Sequence, residues 1–247
     1  MTRLPASAGI PAAASTLLDR LMAETCRLRE VVRTTYSVHY ESGRVDVPVL
    51  CVALPGAVVL PNAVLTPSLP GGPLRVEAGA LLADDASARA WRVHRWWRPP
   101  RPFGLVPPRP GRLQPLGAGG LDDLDPCGLI GAGEGLTPRG DDVLAAALVT
   151  AHATGDPRLE EWRKTTRDAL QHRRTTAVSS ALLWHALDGW CVPQLADLLT
   201  ALCSGADAKV QASRLREVGH SSGQALLDGA LHTLATRPVG YVREGAA

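Results

Sequence analysis

The spacing of apolar positions divides the chain near its middle. In the first half, short strand-like pieces recur at residues 31–40, 47–53, 57–60 and 74–77. Gly43, Pro55-Gly56, Pro61 and Gly71-Gly72-Pro73 separate them, which is the punctuation of a small antiparallel sheet. Ahead of these pieces, residues 15–29 place Leu17, Leu18, Leu21 and Met22 on one helical face, with Ser15 as the cap. Residues 91–97 fit a helix end or a strand equally well. From 99 to 115 prolines recur too often for regular structure, and this stretch reads as a connection. After Pro126 the period becomes helical, at 141–154, 157–172, 177–187, 192–203, 206–218 and 221–235.

The expected fold class is therefore α+β, a β-rich N-terminal half followed by a helical C-terminal domain. Residues 1–98 would hold the N-terminal helix and a small, mostly antiparallel β region. Residues 99–126 would be a Pro/Gly-rich connection, and residues 127–247 the helical domain.

Composition narrows the function classes. The net charge of +2, from 26 basic and 24 acidic residues, gives no reason to expect nucleic acid as the main partner. Five cysteines (Cys26, Cys51, Cys127, Cys191, Cys203) form no Cys-x-x-Cys pair, so they read as reduced thiols rather than a disulfide framework or zinc site. The longest apolar run, 143–149, is far short of the roughly 20 residues that span a bilayer. The N-terminus lacks the apolar run of a signal peptide. A cytoplasmic protein without a membrane partner is expected.

The chemistry concentrates in Gly131-Ala132-Gly133-Glu134-Gly135-Leu136-Thr137-Pro138-Arg139-Gly140-Asp141-Asp142. Thr137-Pro138 is a helix start, a hydroxyl that caps followed by proline at the first helical position. Asp141 and Asp142 would then lie at the positive end of the helix dipole, which by itself explains an acid there. It does not explain two acids heading a helix whose next seven residues are all apolar. Such a helix is buried, and a buried carboxylate must be hydrogen-bonded, paired or bound to a cation. The glycines let backbone amides approach an anion, although the spacing is neither a P-loop nor G-x-G-x-x-G. Capping and packing on one side, and a ligand site on the other, weigh evenly on these residues alone.

Two more constellations follow. Arg173-Arg174-Thr175-Thr176-Ala177-Val178-Ser179-Ser180 places hydroxyls that cap a helix, or line an anion pocket, beside two arginines. Gly219-His220-Ser221-Ser222-Gly223 heads the last helix, where Ser221 or Ser222 would cap it. His220 is expected to be buried and satisfied, or a donor to a ligand, since no G-x-S-x-G elbow supports a serine triad. The other histidines show no metal-ligand spacing, and His94 belongs to the packing of its neighbouring tryptophans.

In their order, the motifs Gly131–Asp142, Thr175–Ser179 and Gly219–Gly223 resemble the family of the AllH-type subunit of oxamate carbamoyltransferase. The resemblance covers about residues 115–236; the N-terminal half matches only loosely, through Trp97-Arg98-Pro99. Two positions depart from the family pattern: Glu134, where proline is usual, and Arg139, where a small residue is usual. The resemblance implies carbamoyl transfer between carbamoyl phosphate and oxamate, in purine-ureide (allantoin) breakdown, beside other subunits.

The resulting expectation is a carbamoyltransferase-type enzyme or subunit acting on a small anionic substrate. Asp141, Asp142 and His220 are the candidate catalytic residues. Gly133, Gly135, Thr137, Gly140, Thr175, Thr176, Ser179, Ser221 and Ser222 are the candidate ligand-binding residues. No cofactor signature is present beyond a candidate Mg²⁺ site at Asp141 and Asp142. The competing readings are a non-catalytic assembly subunit, with residues 91–103 as its exposed interface, and a small-molecule hydrolase.

Overall fold

The computed structural model describes residues 9–44, 46–85, 89–108, 113, 124–172 and 174–238. It separates into two compact units, Met1–Pro99 and Pro100–Ala247. Part of the expected connection and Arg173 lie outside the described residues.

The first unit corrects the expected fold class. It is a closed barrel, not a small antiparallel sheet, so the chain joins a β-barrel to an all-helical unit. The strands are β1 (Ile10–Ser15), β2 (Cys26–Arg33), β3 (Ser37–Glu41), β4 (Val49–Ala53), β5 (Ala63–Leu65), β6 (Leu74–Glu77), β7 (Ala80–Ala83) and β8 (Ala90–Trp97). Their order around the barrel is β1-β5-β4-β3-β2-β6-β7-β8. Two pairings are parallel, β1 with β8 and β4 with β5. Alternating apolar residues mark a strand with one buried face, but an open sheet and a barrel share that pattern. Closure depends on the parallel union of the first and last strands, which no local signal reports.

The barrel interior is filled by side chains, among them Leu28, Tyr40, Leu50, Leu74, Leu81 and Trp91. The two aromatic tips are satisfied: Tyr40 Oη donates to the Gly72 carbonyl and Trp91 Nε1 to that of Ser68. The expected helix at 15–29 shrinks to a 3-10 turn, Thr16–Leu18, and α1, Asp19–Met22. Ser15 does cap it, accepting from Leu17 N, and Leu18, Leu21 and Met22 enter the barrel core. From Cys26 onward the chain is taken by pairing with β6 instead. The piece 31–40 is broken by a turn at Thr34, whose hydroxyl bonds the Ser37 backbone. Residues 57–60 form no strand; Ala57 and Leu60 pack with Trp97 over Cys51, Ala53 and Ala63.

The helical order is as the period indicates. The helices are α2 (Pro126–Leu129), α3 (Arg139–Thr154), α4 (Leu159–Gln171), α5 (Ala177–Leu187), α6 (Pro193–Ser204), α7 (Lys209–Arg216) and α8 (Ser222–Ala235). Helix α3 is the axis of the unit, buried at every position except Arg139 and Ala145. Its closest neighbour is α8, where Gly229 lies against the Val143 carbonyl; a Cβ there would drive into that backbone. Among the described residues no helix is long and apolar enough to cross a membrane. All five cysteines are free.

Candidate functional site at the head of helix α3

The glycine-rich turn runs from α2 into α3 and folds back on the first turn of that helix. Gly131, Gly133 and Gly135 all have positive φ, at 73°, 115° and 96°. The Gly140 N–H donates to the Ala132 carbonyl at 2.8 Å, so one of the free amides of α3 is closed by the turn itself. Gly140 presses against the Leu129 carbonyl and is a packing residue there. Gly133 lies over the Arg139 backbone, where a Cβ would come within 2.9 Å of its nitrogen; Gly135 faces open space.

The two acids divide the work. Asp141, 2% exposed, accepts the Gly131 N–H at 2.9 Å on one oxygen and the Thr175 hydroxyl on the other. It therefore straps the turn to the segment before α5. Asp142, 6% exposed, keeps Oδ2 buried with no partner. Burial pushes its carboxyl up to about 6, with the Asp141 charge adding to the rise, while hydrogen bonds from Ser222 and Thr137 pull it back.

The hydroxyl motifs join the same place. Thr137 and Ser222 meet through their hydroxyl oxygens at 2.9 Å. Thr176 donates to the Leu136 carbonyl at 2.7 Å and accepts from Ser179 N, capping α5. Ser179 is buried with its hydroxyl unpartnered. Direct hydrogen bonds thus connect the glycine turn to both hydroxyl motifs.

Residues 129–234 match the family model for the oxamate carbamoyltransferase subunit AllH. No curated protein and no solved structure matches the chain. The AllH match takes in all three motifs, from the end of α2 to the last turns of α8, and the barrel lies outside it.

Within the AllH region several local expectations are corrected. Pro138, not Thr137, is the N-cap of α3, and it offers no side-chain cap; the Thr137 hydroxyl has gone to Ser222. His220 is exposed rather than buried, and Ser221 heads α8 without a side-chain cap bond. Arg139, one of the two positions that depart from the family pattern, is paired across to α8. It donates to Asp228 at 2.6 Å, and the other oxygen of Asp228 accepts from Gln224 at 2.7 Å. Asp228 was the functional-looking residue that motif reading missed. It is an acid in the otherwise apolar stretch Ala225–Leu231, the same signal that singled out Asp141.

As a Mg²⁺ site the aspartate pair fits poorly. Both oxygens of Asp141 hold protein donors, and the carboxyl of Asp142 is raised rather than lowered. The positive end of a helix also disfavours a cation. Among the described residues no group of three or more His, Cys, Asp or Glu is arranged to hold a metal.

Proposed function

We propose that this chain is a subunit of an oxamate carbamoyltransferase-type enzyme, and that the head of α3 is its small-ligand site. The AllH match supports the enzyme class and partner subunits. The observation that carries the site is Asp142, a buried carboxyl oxygen with no donor at the end of a helix. A buried acceptor left unpaired costs roughly 1–3 kcal/mol, which a ligand donor would recover. The amide nitrogen of oxamate, or of a carbamoyl group, is a donor of the right kind. The exposed glycine turn supplies the backbone flexibility for a phosphate or carboxylate to approach.

In this reading Asp141 and Thr175 hold the frame, and Asp142, Thr137 and Ser222 bear on the ligand. Glycines 133 and 135 lie on its rim, and exposed His220 and Ser221 close over it when partner subunits bind. The work is carbamoyl transfer in nitrogen recovery from purine ureides, in the cytoplasm. Thermal melting of the full chain with oxamate, carbamoyl phosphate and both tests it. A ligand that binds only the native state raises the melting temperature. The shift should be present in the wild type and absent in Asp142→Asn; equal shifts in both would overturn the site.

A non-catalytic assembly role is the second reading, and it rests on exposed apolar side chains. Trp91 cannot serve, being buried in the barrel core, but Phe103 is 65% and Val106 74% exposed. No ligand-induced shift under any condition would favour it.

A further inference from the structure

Strand β8 carries its cations without company. Elsewhere on the barrel Arg27, Arg29, Arg33, Arg44 and Arg75 each sit in an ion pair with an aspartate or glutamate. On β8, Arg92, His94 and Arg95 are all exposed, and among the described residues none of them has an ion pair or a side-chain hydrogen bond. Neither neighbouring strand can supply an acid, since β1 is Ile-Pro-Ala-Ala-Ala-Ser and β7 is Ala-Leu-Leu-Ala. Trp96 follows, 43% exposed.

A break in register puts the two arginines on one side. Strand side chains alternate, so Arg92 and Arg95, three apart, would in a regular strand face opposite ways. The pairing of β8 with β1 shifts between Ala12 and Ala13: Val93 lies opposite Ala12, Arg95 lies opposite Ala13, and His94 is the extra residue. Pro11 and Ala13 alternate with the inward Ala12 and Ala14, so their partners Arg92 and Arg95 both face outward.

The same half of β8 has a free edge. Strand β7 pairs with it only through Ala90, Trp91 and Arg92. From Val93 to Trp97 the strand is bonded to β1 alone, and among the described residues no other backbone hydrogen bond reaches it. Every second residue there turns its N–H and C=O away from β1, which is a template for another extended strand. The cations restrict what can use it. A second copy of this edge would bring arginine against arginine, and a phosphate backbone has no amide ladder to offer.

We propose that the outer half of β8 is a docking edge for an extended, acid-bearing segment of a partner subunit. The segment adds to Val93–Trp97 by main-chain hydrogen bonds, and its carboxylates meet Arg92 and Arg95. This rests on the reading of the chain as a subunit for the existence of a partner, and on nothing at the head of α3. The barrel, outside the AllH match, then serves assembly, while the ligand belongs to the helical unit.

The full chain is titrated with an acetylated peptide of sequence Glu-Thr-Glu-Thr-Glu-Thr, read by calorimetry and by amide shifts at Val93–Trp97. Binding should move those amides. Methylating the peptide nitrogens on its pairing side should weaken binding at least about tenfold, because main-chain hydrogen bonds are lost. Arg92→Gln with Arg95→Gln should also weaken it about tenfold, and salt at about 0.5 M should narrow that gap. Both positions are exposed, so this variant should melt with the wild type. Where it does not fold, Arg95→Gln alone and the methylated peptide on the wild type carry the test.

No peptide binding, amide shifts away from β8, or undiminished binding by the methylated peptide or the double variant overturns the docking edge. An oligothymidylate that binds the same amides as tightly overturns the occupant in favour of nucleic acid. A wild-type dimer joined through these amides overturns it in favour of a second copy. The oxamate melting shift, measured on the same samples, reports on α3 alone, so failure of the ligand site and failure of the edge are told apart.

Discussion

The backbone N–H of Gly131 ends on Asp141, ten residues further along the chain, at 2.9 Å. The same carboxylate receives the Thr175 hydroxyl, so one side chain fixes the turn, the head of α3 and the approach to α5. Asp141→Ala takes the acceptor from two half-buried donors and should cost about 3 kcal/mol. Thr175→Val removes only one of them and should cost about 1–2 kcal/mol. Urea unfolding followed by the helical signal measures both, and a loss below about half of that for Asp141→Ala would show that the strap does not matter.

The glycines of the turn should separate by what lies beside them. A Cβ at Gly131 would drive into the Arg174 carbonyl, whereas Gly135 has open space around it. Gly131→Ala should cost about 3 kcal/mol, combining positive-φ strain with overpacking. Gly135→Ala, with strain alone, should cost about 1 kcal/mol. Gly229→Ala should resemble the first, since α8 would be pushed from the Val143 backbone. Equal melting temperatures for the Gly131 and Gly135 variants would contradict this packing.

Acid should act on the helical unit through opposed groups, the largest shifts being those of His185 and Asp142. His185 is buried, with its pKa pushed down to about 4 by loss of water. The unfolded chain takes up that proton near 6.5, so stability falls as pH drops from about 6.5 to 4. Asp142 is pushed up to about 6, so the folded state binds its proton first. Stability therefore rises as pH drops from about 6 toward its unfolded value near 4. Asp142→Asn removes the rise, and relative to the wild type it should lose on the order of 2–3 kcal/mol between those two values. Denaturation midpoints at several pH values read the difference, and parallel curves would refute the assigned shift.

The start of α4 is held to the end of α8 by one arginine. Arg158 meets the fully buried Asp156 side chain through Nε and Nη2, and reaches Thr236 and the Thr233 carbonyl. Its guanidinium also lies 4.7 Å from the Trp162 ring centroid. Breaking a buried pair by removing one partner costs about 3–5 kcal/mol, and Asp156→Ala should approach the lower figure. Arg158→Lys keeps the charge but not the fork and should recover only part of it. A fluorescence change at Trp162 should accompany both.

What the sequence made legible follows the range of the forces involved. Helices of period 3.6 with glycine stops, such as Arg139–Thr154 before Gly155, are local and were readable. So was the joining of Asp141 to a partner, because seven apolar residues behind an acid demand one. The barrel was not readable, since β1 and β8 meet through pairs such as Ile10 with Trp91, far apart in sequence. The short strand Ala63–Leu65 and the lost helix beyond Met22 are likewise decisions of tertiary pairing over local preference. At the site, the hydroxyl of Thr137 suited a cap by every local rule, yet Ser222 claimed it from 85 residues away.

The union of the first strand with the last also sets a timetable for synthesis. When β1 leaves the ribosome, neither β5 nor β8 has been made, and at about 5–20 residues per second several seconds pass before β8 follows. Until then the inward residues Ala12 and Ala14 have no wall to face. Among the helices beyond Pro126 the hydrogen-bond ladders are local, although α3 must in turn wait for α8 to cover it. The half of the chain that is made first thus closes only as the second half begins to appear.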